Sequence, residues 1–193
     1  MSVVLTKGQR VNLSKEYPRL SKVSVCLGWD ANKYDGEYDF DLDASAFLLG
    51  MSGKIRKDSD FIFYNNLTHP SNAIIHDGDN RVGDCDEDDE VIHVDLSAIP
   101  AQYEKIVFAI TIFDAESRLQ NFGMISNAYI RIVDEERNEE LCRYDLSEDF
   151  SMQTAIIAAE IYKRDNEWKF APIGSGYNGG LTALCRSYGI NVE

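Results

Sequence analysis

Two clusters of carboxylates constrain this chain more than any other feature. The first runs from Gly28-Trp29-Asp30 to Asp39-Phe40-Asp41-Leu42-Asp43, and the second from Asp77-Gly78-Asp79-Asn80 through Asp84, Asp86 and Glu87 to Asp88-Asp89-Glu90. On an alternating strand, Asp39, Asp41 and Asp43 share one face about 7 Å from each next neighbour, while Phe40, Leu42 and Ala44 turn into a core. Two like charges near a protein surface repel by roughly 4 kcal/mol at 4 Å and by less further out. A fold that gathers this many must supply a counter-charge or raise the carboxyl pKa values.

A bound cation is the simplest remedy. Oxygen donors alone select calcium, magnesium or manganese over zinc, and a surplus of carboxylates on loops suits the six to eight ligands of calcium better than the strict octahedron of magnesium. The candidate ligands are Asp30, Asp39, Asp41, Asp43, Asp77, Asp79, Asn80, Asp88, Asp89 and Glu90. They are too many for one ion, so two calcium ions are expected. An EF-hand does not fit, because counting from Asp84 puts Asp89 where that loop needs glycine, and counting from Asp39 puts Ala44 there. A single acidic run reads most simply as a solvated surface, but two runs joined by strand periodicity favour metal.

The rest of the chain reads as mainly β: a two-sheet β-sandwich with a few short helices, one of them near the C-terminus, in a single domain over residues 1–193. Lys22 to Leu27 and Phe40 to Phe47 alternate, which predicts one packed and one wet face. Asp60 to Tyr64, Glu90 to Leu96, Tyr129 to Asp134 and Glu139 to Asp145 are further strand candidates, the last two joined by a charged turn over Glu135 to Asn138. Lys105 to Phe113 is almost continuously apolar and predicts a central strand covered on both faces. Ala155 to Arg164 suits helix or strand. Asp165-Asn166 favours a strand, since that pair tolerates the positive φ of a two-residue turn and Trp168 to Ile173 can return beside it. Leu181, Leu184, Cys185 and Tyr188 at helical spacing predict a terminal helix stopped near Gly189. Ser97 to Ala101 allows one helical turn.

Other classes of function are disfavoured. The net charge of -14 repels nucleic acid, and the N-terminus lacks the apolar core of a signal peptide, which predicts a cytoplasmic protein. Cys26, Cys85, Cys142 and Cys185 have no metal or disulfide spacing and read as reduced thiols. His69, His76 and His93 are not at ligand spacing with cysteine; His76, beside Asp77, reads as a loop residue or as a support for a ligand. No nucleophile motif is present. Paired carboxylates also serve glycoside hydrolysis, but that needs one acid in an apolar pocket, whereas these are flanked by other acids and glycines, so no enzymatic activity is expected.

Gly28-Trp29-Asp30, Phe40-Asp41-Leu42-Asp43-Ala44-Ser45-Ala46-Phe47, Phe63-Tyr64-Asn65-Asn66, His76 to Asn80 with Gly83, Asp88-Asp89-Glu90, Ala128-Tyr129-Ile130-Arg131, Arg143 to Glu148 and Glu167-Trp168-Lys169-Phe170 together resemble the TerD domain of tellurium-resistance and general stress proteins. The resemblance covers essentially the whole chain. It implies a bacterial cytoplasmic β-sandwich that binds calcium without catalytic activity, works with other tellurium-resistance and stress proteins, and forms complexes near the inner membrane. It puts the family's acidic blocks on Asp30, Asp41, Asp43, Asp79, Asn80, Asp88, Asp89 and Glu90. Asp84-Cys85-Asp86-Glu87 departs from relatives that are richer in glycine there. The leading expectation is that calcium orders the acidic loops into a surface for a partner. The alternative is a calcium-dependent membrane-surface module, against which the acidic loops themselves offer few apolar or basic residues.

Overall fold

The computed structural model describes residues 2–31, 40–78, 88–146 and 150–192. In chain order its elements are β1 (Val3–Leu5), β2 (Val11–Asn12), α1 (Leu13–Glu16), β3 (Lys22–Ala31), β4 (Leu42–Leu49), β5 (Phe61–Ile62), β6 (Ile74–His76), β7 (Glu90–Asp95), β8 (Lys105–Ile112), β9 (Ile125–Asp134), β10 (Glu139–Asp145), β11 (Ala155–Arg164), β12 (Glu167–Tyr177) and α2 (Gly180–Tyr188). The strands form two six-stranded sheets, ordered β1-β10-β9-β3-β7-β6 and β2-β12-β11-β8-β4-β5. Pairing is antiparallel except between β1 and β10. The expected two-sheet β-sandwich is the architecture found.

The sheets pack through alternate residues. Val23, Val25 and Leu27 of β3 share one buried cluster with Leu42, Ala44, Ala46 and Leu48 of β4 and with Ile106, Phe108 and Ile110 of β8. β8 lies between β4 and β11, and all of it beyond Lys105 is buried. Its other face, Val107 and Ala109, joins a second cluster with Phe47, Leu49 and Ile157 beneath Leu184 and Cys185 of α2. The second sheet is therefore covered on both sides.

That cover changes the reading of β4. Alternation predicts a wet face, yet every residue from Leu42 to Leu49 is buried, because Phe47 stacks on Phe61 and meets the Tyr188 ring at 4.7 Å. The strand also starts at Leu42, so Asp41 precedes it. The predicted hairpin of β11 and β12 forms, with Asp165 at φ 56 and Asn166 at φ 61, and α2 ends at Gly189, whose φ of 93 closes the helix. Ser97 to Ala101 makes no helix. The Asp95 carboxylate accepts from the Ser97 and Ala98 amides, and Pro100 has no N–H to continue a ladder.

Asp60 anchors the loops at the far end of β4. It is fully buried, and Oδ2 accepts from the Arg56 and Lys57 amides at 2.9 and 3.1 Å while Oδ1 accepts from the Tyr103 hydroxyl at 2.6 Å. Burial, with Asp60 adjoining, pushes the Tyr103 phenol up to about 12. Removing the acceptor strands the buried Tyr103 hydroxyl and two part-buried amides, so Asp60→Ala is expected to cost about 3 kcal/mol, and Tyr103→Phe about half that. Urea denaturation of both variants checks the order.

Candidate metal centre

β3 and β7 pair from Lys22 with Asp95 to Leu27 with Glu90, which brings Trp29, Asp30, Asp88, Asp89 and Glu90 to one end of the sandwich. The start of β4 reaches the same end. β5 pairs only with Ala46 and Phe47, leaving the backbone of Ala44 without a strand partner on that side. Side chains of the first sheet take its place: Glu90 Oε2 accepts from the Ala44 amide, and His76 Nε2 lies 3.1 Å from the Ala44 carbonyl oxygen. His76 Nδ1 accepts from the Gly78 amide at 2.9 Å, which fixes the proton on Nε2 and aims it at Ala44. His76 is thus a buried strand residue stitching the two sheets, and not merely a loop residue.

Asp89 is the unusual group. It is 6 % exposed; Oδ2 accepts from the Trp29 amide at 2.8 Å, while Oδ1 is buried without a hydrogen-bond partner among the described residues. Burial raises its pKa above the ordinary carboxylate value; the Trp29 amide offsets part of that, and the charges of Asp30 and Asp88 add to the rise. Asp30 is exposed, and its Oδ2 accepts from Asn127 Nδ2.

Asp88 is already neutralised. Arg131 grips it with Nε to Oδ1 at 2.8 Å and Nη2 to Oδ2 at 2.6 Å, and the Tyr129 hydroxyl donates to Oδ1 at 2.9 Å. The Tyr129 ring lies over Gly28, where an added Cβ would stand 2.4 Å from the ring carbon Cζ. This close approach explains the glycine of Gly28-Trp29-Asp30. Burial and Asp88 also hold the Cys26 thiol far above its usual range, and Cys26, Cys142 and Cys185 are all free and buried.

The remaining candidates disperse. Asp41 lies 3.9 Å from Arg118 Nη1. Asp43 is buried on the outer face of the second sheet, lining a cavity of about 540 Å³ with Tyr64, Thr111, Thr154 and Arg186. Asp77 turns to the outer face of the first sheet, where His93 Nε2 meets it at 2.9 Å and His93 Nδ1 meets Glu135 at 2.6 Å. Burial opposes protonation of His93, but the two carboxylates outweigh it and hold the imidazole above its usual value. Asp39, Asp79 and Asn80 lie outside the described residues. Among the described residues no three His, Cys, Asp or Glu side chains stand close enough to hold an ion by themselves.

The end of the sandwich thus offers oxygen donors, one of them an unpartnered buried carboxylate oxygen, and this donor chemistry fits a hard cation. Arg131, Tyr129, Asn127 and Arg118 were not marked as site residues from sequence; the outward alternation of Tyr129 and Arg131 along β9 and their place in the Ala128-to-Arg131 block of the resemblance are signals that point to those two.

A raised carboxyl pKa means that the fold holds a proton the unfolded chain has released, so the metal-free protein loses stability as pH rises through that interval. Asp89→Asn removes the charge and keeps an acceptor for Trp29. It is expected to stabilise the metal-free protein by about 1 kcal/mol at neutral pH, with the gain fading on acidification. Urea unfolding in chelator at two pH values measures this.

The model of the TerD domain matches residues 1–188. Over the full length of both chains, the protein is 58% identical to "General stress protein 16U" of Bacillus subtilis (strain 168) and 53% identical to "Tellurium resistance protein TerD" of Serratia marcescens. The crystal structure of a homologue of telluride resistance protein (TerD), SCO6318 from Streptomyces coelicolor A3(2), superposes with a TM-score of 0.70 at 18% identity, covering 86% of this chain and 95% of that one. The chain belongs to the TerD domain family.

Proposed function

We propose that this TerD protein is a cytoplasmic calcium-binding protein of the stress response, in which calcium orders the acidic loops and completes a surface for a partner. The observation that carries this reading is Asp89 Oδ1, a buried carboxylate oxygen with no hydrogen bond among the described residues. Fully buried carboxylates are normally paired, hydrogen-bonded or bound to a metal. Asp30 and Asp88 supply further negative potential beside it.

Asp89 and Asp30 would hold the ion, with Asp41 and the acids and amide at Asp39, Asp79 and Asn80 completing the donor set. Together these offer more oxygens than one sphere accepts, so two ions are the expected stoichiometry. Calcium supplies positive charge there and no reaction chemistry. Glu90 braces Ala44 and Asp88 is held by Arg131, so neither is poised for acid or base work, and a binding role suits these residues better than an enzymatic one. The names of the relatives, which speak of tellurium resistance and general stress, support the physiological setting.

Calorimetric titration of the metal-free protein with calcium is expected to show micromolar or tighter binding. At a hundredfold excess over Kd, calcium should stabilise the fold by about 2.7 kcal/mol, a rise of roughly 5–10 °C in Tm for a chain of this size. Asp89→Asn and Asp30→Asn should lose most of that shift. Asp145→Ala, whose carboxylate pairs with Arg143 at 2.6 Å, should keep it. Absence of binding heat together with an unchanged Tm would sink the reading.

A further inference from the structure

We propose that the outer face of the second sheet carries a binding cleft for a neutral saccharide, held by Glu160, Lys105 and the hydroxyls of Tyr177 and Tyr188. The cleft encloses about 460 Å³, within the range of small-molecule sites. It lies at the Leu49 end of β4, opposite the Leu42 end, and is bordered by Tyr188 at the C-terminal end of α2. No candidate metal ligand lines it, so it stands apart from the calcium reading.

A β-bulge builds the site. β11 pairs Ile157 with Ala109 of β8 and Ala159 with Phe108, so one extra residue is inserted at Ala158. Ala158 and Ala159 both join the core between the sheets, and the alternation changes phase behind them. Ile157 faces outward before the bulge; after it Glu160 and Tyr162 face outward into the cleft while Ile161 packs inside. Without the extra residue Glu160 would point into the core. Bulges re-aim side chains in this way beside functional sites.

Polar groups then stand over an apolar floor of Leu49, Val107 and Ile157, all buried. Lys105 Nζ pairs with Glu160 Oε2 at 2.5 Å, the Glu160 side chain being only 17% exposed. Among the described residues no other side chain bonds to this pair, and no hydrogen bond reaches the hydroxyls of Tyr177 and Tyr188. The phenols converge with the carboxylate: burial raises the Tyr188 pKa, and nearby Tyr177 and Glu160 add to the rise. The rim is fixed before any ligand arrives. Its turn is closed by the Gly50 amide on the Lys54 carbonyl and tied to α2 by the Ile55 amide on the Tyr188 carbonyl, both at 3.1 Å.

Charge and topology select the occupant. Glu104 and Glu160 are balanced by Lys105 and Lys163 around the cleft, so neither an anion nor a cation is drawn in by net charge. β8 and β11 each have a strand on both sides, which leaves no free edge for a peptide to join as a further strand. A wholly apolar ligand would cut the ion pair and the phenols off from water without replacing its hydrogen bonds. What the cleft offers is an acceptor beside a donor: Glu160 Oε1 accepts, Lys105 donates, and each phenol does either. Adjacent ring hydroxyls present the matching donor and acceptor, and the C–H face of the same ring can lie on the aliphatic floor. A neutral saccharide has both.

Saturation-transfer NMR on the full chain in chelator tests this, with cellobiose, maltose, lactose and N,N′-diacetylchitobiose as probes and inorganic phosphate and adenosine as competitors. At least one disaccharide is expected to bind with a millimolar or tighter Kd on titration, and neither competitor is expected to displace it. Glu160→Gln and Tyr188→Phe are each expected to weaken that probe about tenfold. Tyr188→Phe removes a hydroxyl that bonds to nothing among the described residues, so the melting temperature should hold. The two substitutions lie on different elements, and a folding defect in one leaves the other to decide. Binding by none of the disaccharides, displacement by phosphate or adenosine, or undiminished affinity in the folded variants overturns the proposal.

Discussion

The bond from Glu90 to the Ala44 amide is the interaction on which the acidic end depends. β4 leaves the reach of β5 before Ala44, and a buried amide and carbonyl there would each be left unpaired. Glu90 and His76 cross from the other sheet to satisfy them, so the mouth of the sandwich is closed by side chains rather than by a further strand. The same register that brings Glu90 to Ala44 sets Asp89 against the Trp29 amide and Asp88 against Arg131. The acids are crowded because the sheets are stitched at that point.

Crowding is also less severe than a count of carboxylates suggests. Arg131 neutralises Asp88, Arg118 stands near Asp41, and His93 bridges Asp77 to Glu135. These pairs leave Asp89 as the group whose ionisation the described residues do least to support. An ion at this end would gain mainly from Asp89 and its exposed neighbour Asp30, since displacing Arg131 from Asp88 would sacrifice two short charge-assisted bonds. The electrostatic problem visible in the sequence is thereby narrowed to a small part of the surface.

Much of the fold was legible because backbone chemistry is local. Asp165-Asn166 fixed a hairpin, the unbroken apolar run of β8 fixed a central strand, and the spacing of Leu181 to Tyr188 fixed the terminal helix. The buried outer face of β4 was not legible, since polar Asp43 and Ser45 imitate a wet face and the helix covering part of it arrives from the far end of the chain. For the site, sequence grouped Asp89 and Asp30 with Asp77, which faces another surface. Cross-strand partners such as Arg131 are set by register, which hydrophobic period does not encode.

The division of labour between the sheets explains how one end can be electrostatically uncomfortable while the fold stands. The second sheet is packed on both faces, with α2 closing its outer side, so its strands do not depend on the acidic loops for order. The penalty of Asp89 is confined to a mouth held by Glu90, His76 and Arg131. A ligand can shift a conformational balance only by its differential affinity for the two states, and that difference is greatest where an ionisable group is buried but unsatisfied. A rigid sandwich with one such group at its rim can register an ion locally, in loops, without repacking its core.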